Sequence, residues 1–98
     1  MDEPERVSFL GTPCPKSFRL RTVILQPHDG LDYRRADWLD TLVLVERGEL
    51  EVQCRSGARA SFGAGATLVL TGLGLRRLRN PGSTPLVLSA LSRQRPIG

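Results

Sequence analysis

At 98 residues the chain is one domain, near the lower size at which a single core is self-sufficient, so burial against a partner would add to its stability. No run of about 18 apolar residues occurs, and the start Met1-Asp-Glu-Pro-Glu-Arg is acidic and prolyl where a secretory signal is basic and then apolar, so no membrane partner and a cytoplasmic location are expected. The formal charge is +4 with arginine dominating the bases, but the arginine-rich stretch after Thr67 (Arg76, Arg77, Arg79, Arg93, Arg95) holds no aromatic ring for stacking, so nucleic acid is not the expected partner.

In chain order, residues 1–17 carry Pro4, Pro13 and Pro15, with strand character only over residues 7–10, and form an N-terminal arm that must dock to be ordered. Residues 18–93 form the body. The run Phe18-Arg-Leu-Arg-Thr-Val-Ile-Leu25 alternates at its start, which assigns Phe18, Leu20 and Ile24 to the core face and Arg19 and Arg21 to the other. Gln26-Pro-His-Asp-Gly30 is turn chemistry. Residues 31–40 are polar and irregular, and read as a loop with a short edge strand, held down by Tyr33 and Trp38.

Residues 42–47 are largely apolar up to Gly48. Beyond it Glu49, Leu50, Glu51, Val52, Gln53 and Cys54 alternate, which reads as two strands turning at a glycine. Arg55-Ser-Gly57 is a hairpin turn, residues 58–62 a short strand, 63–65 a glycine turn and 66–70 a buried strand. Residues 75–79 and 86–91 are the last strands, separated by Asn80-Pro-Gly82, and residues 94–98 are a basic, prolyl tail. No segment has helical period. Strands and turns recurring about every ten residues predict an all-β fold, a small antiparallel barrel or sandwich.

The usual catalytic signatures fail on inspection. Gly63-x-Gly65 and Gly72-x-Gly74 lack a third glycine and a following helix, so both are turns and not nucleotide cradles. Cys14 and Cys54 lie far apart and are read as free thiols, with His28 the one histidine available to join them as a ligand or base.

The glycine spacing resembles that of the cupins, small jelly-roll barrels. Against the second cupin motif, Gly65 takes the first glycine and Asn80 the closing asparagine at the family's spacing, while Thr71, Leu73 and Arg76 stand where the family has proline, glycine and histidine. Against the first motif, Gly48, in Gly-Glu-Leu-Glu-Val, takes the closing glycine, which places Thr41 at the glutamate and Arg35 and Asp37 at the two histidines. Asp40 becomes the acid if the register slips by one. The resemblance covers residues 18–93 and implies a jelly-roll barrel, a double-stranded β-helix of antiparallel strands.

Metal-binding cupins present three histidines and a carboxylate to a divalent ion. Here the four positions are Arg35, Asp37, Thr41 and Arg76, and two guanidiniums repel a cation, so no metal and no cofactor are expected. The same four residues are instead the candidate ligand-binding set inside the barrel. Arg76 shares strand parity with Leu78, and so faces inward if Leu78 does, either pairing with Asp37 or Asp40, reaching a wet barrel mouth, or offering its fork of donors to a small anion. Apolar residues on both faces of 42–45, 68–70 and 86–88 exceed the needs of one barrel face and predict a homodimer. The reading is a non-enzymatic small-molecule or homodimeric interaction module. The alternatives are a metal-independent isomerase, epimerase or cyclase drawing its base from Asp37, Asp40, His28 or Tyr33, and an accessory domain regulating another protein.

Overall fold

The computed structural model describes residues 8–11, 13 and 16–93; the 94–98 tail, Cys14 and most of the N-terminal arm lie outside the described residues. Eight strands and one helical turn follow one another: β1 (Phe18–Leu25), β2 (Gly30–Asp32), α1 (Arg35–Trp38), β3 (Thr41–Arg47), β4 (Glu49–Cys54), β5 (Arg59–Gly63), β6 (Thr67–Val69), β7 (Leu75–Arg79) and β8 (Leu86–Arg93). They form two antiparallel four-stranded sheets, in the orders β1-β8-β3-β6 and β2-β7-β4-β5. Successive strands alternate between the sheets, apart from the β4–β5 hairpin turning at residues 55–57, and this alternation makes the architecture a jelly roll. Among the described residues no helix is long and apolar enough to cross a membrane.

The two strands around Gly48 therefore do not form a hairpin. β3 pairs with β8 and β6, β4 pairs with β5 and β7, and Gly48 is the corner where the chain leaves one sheet for the other. Its φ of +82°, and the 2.8 Å that would separate an added Cβ from the Pro85 carbonyl oxygen, exclude an ordinary side chain there.

The core is built from Leu25, Trp38, Val43, Val45, Leu50, Val52, Leu70, Leu75, Leu78, Leu86, Leu88 and Ala90, with Val23, Tyr33, Cys54 and Phe62 packed against it. The facing of β1 is opposite to that expected from its first residues. Val23 and Leu25 join the core, so Arg19 and Arg21, which share their parity, line the inner face, and Phe18, Leu20 and Ile24 point outward. Alternation alone could not make this choice, because the outer face of the β1-β8-β3-β6 sheet is apolar as well. Leu20, Leu91, Leu42 and Val69 form one cross-strand row over its full width.

Two further expectations change. Of residues 66–70, expected as a buried strand, only Thr67–Val69 form a strand, β6, at a sheet edge, with Val69 54% exposed and Leu70, just past its end, buried. Residues 35–38 make a single helical turn, too short for periodicity to reveal, that drops Trp38 into the barrel. On the outer face the arm touches the body where the Phe9 backbone N–H donates to Glu46 Oε2 at 2.9 Å, the same oxygen that accepts from Ser89 Oγ at 2.5 Å.

One end of the barrel is closed by Asn80, which is fully buried. Its Nδ2 donates to the carbonyls of Leu25 (3.0 Å) and Thr84 (2.8 Å), and its Oδ1 accepts from the Gly82 N–H (3.0 Å). Its backbone N–H donates to the Asp29 carbonyl and its carbonyl accepts from the His28 N–H, each at 2.9 Å. The two sheet-changing connections β1–β2 and β7–β8 are thereby tied through one side chain. With each buried bond worth about 1 kcal/mol, Asn80→Ala is expected to cost about 2–3 kcal/mol in urea unfolding, and a cost below about 0.5 kcal/mol would contradict this role.

Candidate functional site

The end opposite Asn80 is open. The first residues of β1 and β3 and the last of β8 meet there, and their inward positions are Arg19, Arg21, Thr41 and Ser92, paired as Arg19↔Ser92 and Thr41↔Ser92 across three adjacent strands. With Ala36, Asp37, Leu39, Asp40 and Arg93 they line an open cavity of about 360 Å³. Asp40 turns the chain from α1 into β3 at a φ of +52°, a left-handed conformation that aspartate tolerates better than most residues.

Trp38 separates this mouth from the core. The indole is 1% exposed, and its Nε1–H is buried without a hydrogen-bond partner among the described residues. The Arg21 guanidinium lies over the ring at 4.8 Å from its centroid, and its Nη2 donates to the Asp37 carbonyl at 2.6 Å, so this cation is oriented by both contacts. The remaining Arg21 donors, and the guanidiniums of Arg19 and Arg93, have no hydrogen-bond partner among the described residues. Thr41 Oγ1 donates to the Leu39 carbonyl at 2.9 Å, which leaves its oxygen lone pairs able to accept.

Of the four residues singled out from sequence, Asp37 and Thr41 come together at this mouth, and Arg35 and Arg76 do not line it. Arg35 is exposed in α1. Arg76 does not follow Leu78 inward. The register shifts where Gln53 pairs with Arg77 and Cys54 with Leu75, so β7 carries an extra residue at Arg76. Leu75 and Leu78 are both buried on either side of it, whereas Arg76 is exposed, with Nη2 3.4 Å from Gln53 Oε1. The neighbouring Arg77 and Arg79 lie 4.0 Å from Asp32 and Glu51 on the outer face.

Arg19, Arg21, Arg93 and Ser92 are the mouth residues that sequence reasoning missed. The available signal was the parity of Arg19 and Arg21 with Val23 and Leu25, which outweighs their alternation with Phe18 and Leu20. Of the candidate bases, Asp37 and Asp40 line the mouth. His28 lies beyond the far end of β1, with its backbone N–H on the Asn80 carbonyl, and Tyr33 packs against the core.

The residues present do not fit a divalent metal. Arg19, Arg21 and Arg93 are among the residues lining the mouth, and among the described residues no three histidine, cysteine, aspartate or glutamate side chains gather in a way that could hold one. Cys54 is a free thiol, half-buried against the core.

Several solved structures are similar to this chain. The cupin_2 domain of an XRE family transcriptional regulator from Enterobacter cloacae shares 22% identity at a TM-score of 0.63, covering 82% of this chain and 83% of that one. A cupin 2 conserved barrel domain protein from Salinispora arenicola shares 18% identity at 0.61, covering 89% and 71%. A cupin domain from Bordetella pertussis shares 13% identity at 0.59, covering 97% and 99%. No family model matches the chain, and no curated protein matches it. At these identities the likeness is one of architecture, and with the two-sheet topology it establishes that the chain has the fold of a small cupin barrel.

Proposed function

We propose that this chain is a non-enzymatic, metal-free binding domain that holds a small anion at the open mouth of a cupin-fold barrel. The observation that carries the reading is the convergence of Arg19, Arg21 and Arg93 on one cavity, with Arg21 already oriented by Trp38 and the Asp37 carbonyl. A guanidinium whose geometry is set before binding loses less side-chain entropy when it meets an oxyanion, and its planar fork matches a carboxylate or phosphate. Because Trp38 fills the barrel beneath, the ligand would rest on the rim and not enter the core. The likeness to a cupin_2 domain of a transcriptional regulator is in keeping with a domain whose occupancy is read by another protein.

A ligand at ten times its Kd stabilises a protein by about 1.4 kcal/mol, which for a domain of this size raises Tm by roughly 5–10 °C. In a thermal-shift series at constant ionic strength, at least one of phosphate, sulfate, acetate or butyrate is expected to stabilise the native chain at millimolar concentration and to lose that effect with Arg19→Gln. No stabilisation by any of them, or equal stabilisation of the variant, would count against the mouth as a binding site.

A second reading, compatible with the first, is supported by the row Leu20, Leu91, Leu42 and Val69. Leu42 and Val69 are 36% and 54% exposed, and Ile24, on the same face, is 56% exposed. An apolar row crossing all four strands of one sheet is more than scattered surface residues provide, and a small domain gains from covering it. We propose that a second copy of the chain covers this face. Light scattering at micromolar concentration should give twice the 10.8 kDa chain mass, falling to the single mass in Leu42→Glu; a native monomer would overturn this reading.

A further inference from the structure

Resting on the anion-binding reading of the mouth, we propose that the anion it receives is a carboxylate of a partner protein, carried on an extended segment that adds a strand to the open edge of β1. β1 stands at the margin of its sheet and pairs with β8 alone, in unbroken register from Phe18↔Arg93 to Leu25↔Leu86. Among the described residues no other strand or helix runs alongside it. Outside that ladder its backbone accepts only at its two ends, from Ser92 Oγ at the Arg19 carbonyl (3.4 Å) and from Asn80 Nδ2 at the Leu25 carbonyl (3.0 Å). The edge-facing N–H and C=O groups between those ends have no partner among the described residues, and none of residues 18–24 is buried. Such an edge is a template for one more strand.

The side chains of β1 select the chemistry of that strand. Folded proteins guard a long edge with proline, a bulge or inward charge, and β1, eight residues without proline or bulge, has only the charge. Arg19 and Arg21 share the inward parity, and Leu20 and Ile24 the outer one, where Ile24 is 56% exposed. Residues opposite one another on neighbouring antiparallel strands share a face, so a carboxylate belongs opposite each arginine and an apolar side chain opposite Leu20 and Ile24. The fitting partner therefore alternates acidic and apolar residues over about 20 Å of extended chain. A guanidinium offers a carboxylate two parallel donors, and Arg21 is already held in place by Trp38 and the Asp37 carbonyl. A basic segment would be repelled by the same two residues. The other sheet edges do not qualify: β2 and β6 have three residues each, and β5, with five, carries a single arginine, Arg59.

The test is titration of the full chain with the capped peptide Thr-Val-Glu-Val-Glu-Val-Thr and its analogue Thr-Val-Lys-Val-Lys-Val-Thr, with hydrogen exchange of the chain's amides read by NMR at saturation. The glutamate peptide is expected to bind at least about tenfold tighter than the lysine analogue and to slow exchange within residues 20–24 at least about tenfold, leaving β5 unchanged. Arg19→Glu is expected to reverse the preference. Arg19 is exposed, so the substitution leaves the core packing in place, and the lysine analogue reads the same charge on the native chain. Equal binding of the two peptides, binding without new protection in β1, or no binding would overturn the inference. β1 amides already protected in the free chain at high concentration and released on dilution would assign the edge to a second copy, and would overturn it as well. Stabilisation by free phosphate, sulfate, acetate or butyrate without peptide binding would remove the strand partner and leave the anion site standing; no response to either kind of probe would remove both.

Discussion

The filling of the barrel by Trp38 is the constraint on which the rest of the molecule turns. Eight short strands enclose little space, and an empty lumen would forfeit packing that a domain of this size cannot spare. Burying an indole removes roughly 150–250 Å² from water, worth about 4–6 kcal/mol. Its Nε1–H is left without a partner, which costs about 1–3 kcal/mol, so burial wins. The consequence is functional. With the interior occupied, polar side chains stand at the rim, where Arg21 rests on the ring and Arg19 and Arg93 line the same cavity.

The two ends of the barrel are made differently. At the closed end, Asn80 uses both amide hydrogens and its oxygen to join the β1–β2 and β7–β8 connections, and Gly48 lets β3 turn into β4 directly beneath the Pro85 carbonyl. Those contacts are directed to the backbone. At the open end the strands finish in arginine, serine and threonine beside Asp37 and Asp40, and the Arg21 guanidinium ties β1 to the β2–β3 connection at the Asp37 carbonyl. A closed end and a polar open end, separated by one buried ring, place the proposed site on strand termini and the short α1 segment between β2 and β3.

Much of the frame was legible because it depends on turns and spacing. Gly48, Gly65 and Asn80 occupy positions where backbone geometry or a fully satisfied buried amide dictates the residue, and residues 75–79 form β7 with the bounds expected. The site was less legible for two physical reasons. The sheet containing β1 is apolar on both faces, so Phe18 and Leu20 suggested an inner face that belongs to Arg19 and Arg21. One extra residue in β7 then reversed the orientation expected for Arg76, and period-two reasoning cannot detect a bulge that pairing with another strand creates. Asp37 and Thr41 were found through the cupin spacing counted back from Gly48, the corner into which β3 runs from Thr41.

The chain has one tryptophan, so its indole N–H gives a single resonance that reports on the plug directly. Hydrogen exchange of that proton, followed by NMR, tests whether the barrel is filled with the mouth lying above it. The account predicts exchange as slow as that of the most protected backbone amides of β3 and β8, through opening of the whole domain. Exchange at the rate of a solvent-exposed indole would show that water reaches the interior, and would contradict the placement of the binding site on the rim.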